Sequence, residues 1–180
     1  MKKLAVLLCT ALFACDALED SGDTDDTGSG TSIAVPDVGT LVDAGGCGDV
    51  QMLLSTSDRS AALVFSDEAD LTEQAYAAGE PITATYTLPA EGILELHQGT
   101  EVTGLFCNDA FDDNMVIDHT WTATAGTVTI TVTSEGIDHG YHKPADATIT
   151  IEGAVLQLDG SDDVTIESVS WTYAIGWLAG

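Results

Sequence analysis

Apolar and polar residues alternate along much of this chain. Residues 127–133 read Thr-Val-Thr-Ile-Thr-Val-Thr, so every second side chain is apolar and threonines fill the positions between. The same alternation recurs at 82–88, at 149–151 and at 169–177. Successive side chains of an extended strand point to opposite faces, so a period of two places the apolar ones on one face. These segments are therefore predicted to be half-buried β-strands.

Further strands and turns complete the predicted fold. Additional strands are predicted near residues 51–55, 61–65, 93–97, 101–107 and 115–124. Turns are predicted at Gln98-Gly99, at Ala125-Gly126 and at 159–162, and a short helix is predicted only at 69–78. About nine strands at this spacing are typical of an antiparallel β-sandwich or jelly roll, with a closed barrel as the alternative. The predicted fold class is all-β.

A change of parity marks Gly153. Ile149 and Ile151 place odd-numbered residues inward, whereas Leu156 and Leu158 place even-numbered residues inward. A β-bulge inserts one extra residue into a strand and so allows such a change, and glycine is a common residue there. A bulge is therefore predicted at Gly153.

The N-terminus has the pattern of an export signal. Met1-Lys2-Lys3 is basic and residues 4–14 are almost wholly apolar. This run is shorter than the roughly 20 residues that a membrane-spanning helix needs, but it has the length of a signal-peptide core. At its end, Leu12-Phe13-Ala14-Cys15 resembles the bacterial lipobox. The resemblance implies cleavage before Cys15 and a diacylglycerol on its thiol; the alternative is an ordinary cleaved signal peptide.

A polar segment separates this signal from the β-rich part. Residues 16–32 carry six acids and three glycines and are almost without apolar side chains. Because such a segment buries too little apolar surface to offset its ordering entropy, it is predicted to be a disordered tether with a reach of about 20–25 Å. The predicted organisation is a signal peptide at 1–14, a lipidated acidic linker at 15–32 and one β domain at 33–180. In composition the chain resembles acidic, Asp/Gly/Thr-tethered lipoproteins of Gram-negative bacteria, which implies an envelope location.

The charge of the chain limits its partners. It contains 30 acidic and four basic residues, and Lys2 and Lys3 leave with the signal peptide. Arg59 and Lys143 remain, which gives the mature chain a side-chain charge of −28. Nucleic-acid binding needs clustered basic residues and is therefore not expected. Anionic headgroups also repel this surface, so membrane attachment is expected through the acyl chains alone.

Two cysteines remain after Cys9 leaves with the signal peptide and Cys15 takes the lipid. Cys47 and Cys107 are then the available pair in a compartment where disulfides persist. A metal site needs more ligands than two distant cysteines, and the sequence contains no CxxC motif. A Cys47–Cys107 disulfide is therefore predicted.

An acidic loop follows Cys107. Asp109, Asp112, Asp113 and Asn114 place several oxygen ligands within a few residues. Ca²⁺ prefers six to eight oxygen ligands, so this loop is a candidate calcium site, although it lacks the spacing of an EF-hand. The alternative, which we take as the default, is a solvated turn capped by Asn and Asp.

Two histidines form a second candidate metal site. His139 and His142 lie three residues apart beside Gly140 and could both face one Zn²⁺ or Cu²⁺ ion. His97 or His119 would have to complete such a site. His119 shares an apolar parity with Ile117 and Trp121, which favours a core position for it.

An aromatic series closes the chain. Trp171, Tyr173 and Trp177 alternate with smaller or polar residues. Such rings could stack on sugars, but strict alternation favours core positions, where aromatic side chains bury large areas.

Catalytic motifs are missing from the sequence. It contains no GxSxG, P-loop, GxGxxG or HExxH pattern, and its scattered acids identify no carboxylate pair. We therefore expect no enzyme. The expected function is a lipid-anchored envelope protein on the periplasmic or cell-surface face that acts as a structural or partner-binding module. A metal- or carbohydrate-binding module is the alternative.

Overall fold

The computed structural model describes the β-rich part of the chain. The described residues are 33–48, 50–67, 69–104, 106–107, 113–136 and 143–176. They all lie in the compact unit Ser32–Gly180. The strands are β1 Asp43–Cys47, β2 Val50–Ser55, β3 Ala61–Asp67, β4 Ile82–Thr87, β5 Ile93–Thr100, β6 Val116–Ser134, β7 Ala145–Gln157 and β8 Val164–Ile175. One α-helix, α1 at Leu71–Ala78, joins β3 to β4, and Val38–Thr40 forms a short 3-10 helix.

All eight strands belong to one antiparallel sheet. Its order is β1-β2-β3-β5-β6-β7-β8, and β4 pairs with β6 beside β5. The sheet curls into a half-barrel, and the amide of Gly176 after β8 donates to the carbonyl of Gly48 after β1 at 2.7 Å. The all-β, antiparallel prediction is confirmed, with eight strands in place of about nine.

The strand count differs from the prediction at two places. Residues 101–107 were predicted to be a strand, but the described residues among them, 101–104 and 106–107, form turns. The Gly104 amide donates to the carbonyl of Glu101 at 2.8 Å, and the Phe106 amide donates to that of Thr103 at 3.0 Å. The prediction is wrong because Glu101 adopts a positive φ of 49°, which ends the extended conformation after β5. Strand β1 was not predicted.

Two glycines that were predicted to form turns lie inside strands. Gly99 belongs to β5, where the pairing with β6 shifts register between Gln98 and Gly99. Gly126 belongs to β6, which continues through Ala125-Gly126 where a turn was predicted. Both turn predictions are wrong, because bulges interrupt these strands without reversing the chain. The predicted turn at 159–162 is confirmed by a bond from the Ser161 amide to the Leu158 carbonyl at 3.1 Å.

Strand β6 organises the sheet through its length of 19 residues. One edge pairs first with β5 and then with β4, which therefore lie end to end along it. The other edge pairs with β7, and this pairing shifts register near Gly126, opposite Gly153. Buried positions in β7 change from odd to even there, so the predicted change of parity at Gly153 is confirmed.

One face of the sheet carries the main core. Its largest fully buried side chains include Trp121, Phe65, Met52, Leu63, Leu94, Leu96, Ile130, Ile149, Ile151 and Leu156. Helix α1 packs against β4 and β6 and buries Leu71 and Ala75. It begins where the Asp70 carboxylate accepts the Glu73 amide, and it ends at Gly79, whose φ is 66°. The short helix predicted at 69–78 is therefore confirmed.

The disulfide is formed on the opposite face. Cys47 at the end of β1 bonds to Cys107, with their Cα atoms 5.5 Å apart, which confirms the predicted pair. Leu53 and Ala62 lie on the same face and are buried, although they are not part of the main core. Val102 is buried too, and its amide donates to the carbonyl of Arg59 at 3.0 Å. The disulfide therefore holds the segment after β5 against the outer face of β1–β3.

None of the helices among the described residues has the length and hydropathy that crossing a bilayer requires.

Candidate functional site

Rows of hydroxyl groups cover the outer face of four neighbouring strands. The pairing of β4, β6, β7 and β8 aligns their outward residues across the sheet. The first row is Thr83, Thr131, Thr148 and Thr172, and the second row is Thr85, Thr129, Thr150 and Ser170. We call these eight residues the threonine face. A third, incomplete row contains Thr87, Thr127, Glu152 and Ser168.

The alternation of the strands creates this face. In β6 the side chains of Val128, Ile130 and Val132 are fully buried, so the threonines between them point outward. Threonine suits such positions because its branched Cβ fits the pleated surface of a strand. The sequence contained this signal in the repeated Thr-x-Thr pattern. Only the register of four strands shows that the threonines form rows.

Hydrogen bonds order the hydroxyl groups within each row. In the first row, the Oγ1 atoms of Thr83 and Thr131 lie 2.9 Å apart, and those of Thr148 and Thr172 lie 2.7 Å apart. In the second row, Thr85 and Thr129 are separated by 3.3 Å, and the hydroxyl groups of Thr150 and Ser170 by 2.9 Å. Cross-strand pairs of this kind stabilise a sheet by about 0.2–1 kcal/mol each. The side chains are therefore held in a fixed arrangement.

The threonine face is uncharged on a strongly acidic molecule. Neither complete row contains an ionisable residue. The acids of β7 lie at the borders, with Asp146 beside the first row and Glu152 beside the second. Like charges on directly opposed residues destabilise a sheet, which gives one physical reason for neutral side chains here. The result is a polar surface whose own side chains carry no charge.

The dimensions of the face follow from sheet geometry. Neighbouring strands lie about 4.8 Å apart, and outward residues of one strand lie about 6.7 Å apart. The eight residues cover roughly 260 Å², and the third row brings the area to roughly 400 Å². A stable protein–protein interface buries about 800 Å² on each partner. The face is therefore small for a partner protein but regular in two directions.

The acidic loop is only partly described. Asp113 and Asn114 lie exposed in a turn before β6, whereas Asp109 and Asp112 lie outside the described residues. No group of three metal-ligating side chains comes together in the part of the chain that the structure describes. Calcium binding at this loop remains a prediction.

The second candidate metal site also remains a prediction, because His139 and His142 lie outside the described residues. The other two histidines have local partners. His97 Nε2 lies 3.0 Å from Glu95 Oε2, and the ring of His119 meets Trp121 edge-on, with centroids 6.0 Å apart. His119 is half-buried, so its predicted core position is only partly reached, because the bulge at Gln98-Gly99 disturbs the strand beside it.

The aromatic series of β8 divides between core and surface. Trp171 is buried in the main core, which removes it from any sugar-stacking surface. Tyr173 is 42% exposed, so its predicted core position is wrong: it lies opposite the small side chain of Ala147 in β7, and its ring is left partly uncovered. Trp177 is beyond the last described residue.

A cavity lies beside the turn between β4 and β5. Its volume is about 450 Å³, and its walls come from residues 89–93 with Gln51 and Ser66. Glu91 is the one ionisable residue among these lining residues. Its carboxylate accepts the Thr87 amide at 2.7 Å, and hydrogen bonds from the Thr87 backbone and side chain lower the pKa of Glu91. An anionic residue that caps a turn is not a general acid, so this cavity offers no acid–base pair.

Comparison of the chain with protein-family models, with curated proteins and with solved structures gives no match.

Proposed function

We propose that this protein is a lipid-anchored module of the bacterial cell envelope that presents the threonine face as a non-catalytic binding surface. The anchor is the diacylglycerol on Cys15, and residues 15–32 space the β domain from the membrane. The protein acts outside the cytoplasm, on the periplasmic or cell-surface side. This proposal joins the lipobox resemblance at the N-terminus to the surface chemistry of the domain.

The observation that carries the proposal is the uncharged threonine face. The mature chain has a side-chain charge of −28. Acidic side chains spread over its whole surface would be expected to keep such a chain soluble. Two complete rows of four strands instead carry only Thr and Ser. Their hydroxyl groups are ordered by hydrogen bonds of 2.7–3.3 Å. A fixed neutral surface supports recognition of an uncharged partner.

A binding role fits the remaining geometry better than a catalytic role. Catalysis needs a nucleophile, an acid or a base that converge in a concave site. Glu91 is the only ionisable residue among those that line the 450 Å³ cavity. The carboxylate of Glu91 accepts a hydrogen bond from the Thr87 amide in the adjacent turn. The threonine face belongs to a regular sheet rather than a cleft.

The anchor can be tested by fractionating cells that express single-cysteine variants. Cys15→Ser removes the thiol that the lipobox resemblance identifies, so this variant should leave the membrane fraction. Cys9→Ser is the matched control, because Cys9 lies within the predicted signal peptide and should have no effect on the mature protein. Sedimentation of the Cys15→Ser variant with membranes, at the wild-type level and with the wild-type N-terminus, would contradict the proposal.

A further inference from the structure

The threonine face repeats in two directions, which restricts the kind of ligand that fits it. Across the sheet the repeat is the strand spacing of about 4.8 Å, and along each strand it is about 6.7 Å. The register of β4, β6, β7 and β8 keeps both complete rows in step. A ligand that uses the whole face must therefore repeat in the same way.

Four common classes of ligand lack a basis on this face. Small molecules prefer concave, largely apolar pockets. Partner proteins need a larger area and anchor on aromatic or arginine side chains, which neither row contains. Sugars are commonly bound through aromatic stacking, and Trp171 is buried. Nucleic acid is repelled by the charge of the chain.

Ordered water is a ligand with a matching repeat. Tetrahedral water with hydrogen bonds of about 2.75 Å places second-neighbour oxygens about 4.5 Å apart and repeats about every 7.4 Å along the hexagonal axis of ice. The strand spacing differs from the first distance by about 0.3 Å, and the spacing of the rows differs from the second by about 0.7 Å. Within a row, the hydrogen-bonded hydroxyl oxygens lie 2.7–3.3 Å apart, close to the nearest-neighbour distance of water molecules in ice. We propose that the threonine face adsorbs to the surface of ice.

The chemistry of threonine suits this role. Each hydroxyl group can donate one hydrogen bond and accept others, so a group paired within its row can still bind water. Each methyl group displaces water without holding a shell of its own. A carboxylate would have to lose strongly bound water before it could lie against ice, and the acids Asp146 and Glu152 lie at the borders.

The twist of the sheet makes the central strands most important. Adjacent strands rotate by about 20–25°, so registry with a flat lattice is best across two neighbouring strands. Strands β6 and β7 are central in the face, with β4 and β8 outside them. Thr129 and Thr131 of β6 therefore take part in two of the three contacts between neighbouring strands, whereas Thr172 of β8 lies at the border and takes part in one.

This inference rests on the threonine face being the working surface, as proposed above, but not on the lipid anchor. The test therefore uses the complete chain with Cys15→Ser, purified and fluorescently labelled, at the surface of slowly growing ice. The protein should be concentrated in the ice, and ice crystals grown in its presence should be faceted. Its membrane fractionation is measured separately, so failure of the anchor and failure of ice adsorption are distinguishable.

Two lysine substitutions test the face itself. Thr131→Lys places a hydrated charge in the first row and should reduce the ice-bound fraction by about tenfold or more. Thr122→Lys is the control, because Thr122 is an exposed residue of β6 outside the rows. Circular dichroism and thermal melting establish that both variants are folded.

Three results would overturn the inference. The first is exclusion of the parent chain from ice at the level of an ordinary labelled protein. The second is equal adsorption of the folded Thr131→Lys and parent chains. The third is adsorption to crystalline cellulose or chitin, lost with Thr131→Lys, without adsorption to ice, which would assign the face to a polysaccharide.

Discussion

At the scale of single residues, two glycines of the β6–β7 pairing have different structural requirements. Gly126 has a φ of 123°, and a Cβ atom there would lie 2.6 Å from the Cα of Ala154. Gly153 has a φ of 59°, and a Cβ atom there would meet nothing within 4 Å. Gly126 is therefore required both by backbone conformation and by close packing, and Gly153 by conformation alone.

Alanine substitutions should separate these two requirements. Gly126→Ala should lower the free energy of unfolding by about 3 kcal/mol, because it adds a clash to backbone strain. Gly153→Ala should lower it by about 1 kcal/mol, the cost of the left-handed conformation. Urea unfolding of the two variants and the parent protein measures the difference. Equal losses would show that the close approach to Ala154 is not significant for stability.

The glycines also show what a local pattern can predict. The change of parity around Gly153 was visible in the sequence, because it alters which residues are apolar. The pattern at Ala125-Gly126 was interpreted as a turn, yet the chain continues as β6. Glycine permits both turns and bulges, and the choice depends on whether a partner strand continues alongside. That information is not local.

At the scale of elements, the disulfide fastens the chain after β5 to β1. Cys107 ties it to β1, and the Val102 amide ties it to the carbonyl of Arg59. The cysteine pair was predictable by elimination, since two cysteines allow one pairing. The turns at 101–104 and 106–107 were not predictable, because their sequence resembles that of a strand.

Removal of the disulfide should destabilise the domain without changing its fold. The bond joins residues separated by 60 positions, and closing such a loop stabilises the native state by about 2–4 kcal/mol. The variant Cys47→Ala/Cys107→Ala should therefore unfold at lower urea concentration and keep the parent far-UV circular dichroism. An unchanged unfolding midpoint would show that the bond contributes nothing to stability.

At the scale of the whole molecule, the all-β class followed from alternation, whereas the single curled sheet did not. Strand β4 pairs with β6 instead of its sequence neighbour β5. No local pattern of apolar and polar residues indicates such long-range pairing. The threonine face has the same origin: each Thr-x-Thr segment was visible, but the rows exist only once four strands are in register. The sequence therefore predicts which residues point outward, but not that these residues form rows across four strands.

We propose that an exported β domain is held in the envelope through Cys15. Intact-mass and peptide analysis of the protein purified from the membrane fraction shows whether Cys15 carries the lipid. The mature chain should begin at Cys15, carry a diacylglycerol on that thiol and contain Cys47 and Cys107 in one oxidised pair. An N-terminus at any other residue, or an unmodified Cys15 in the membrane-derived protein, would show that Cys15 is not the anchor.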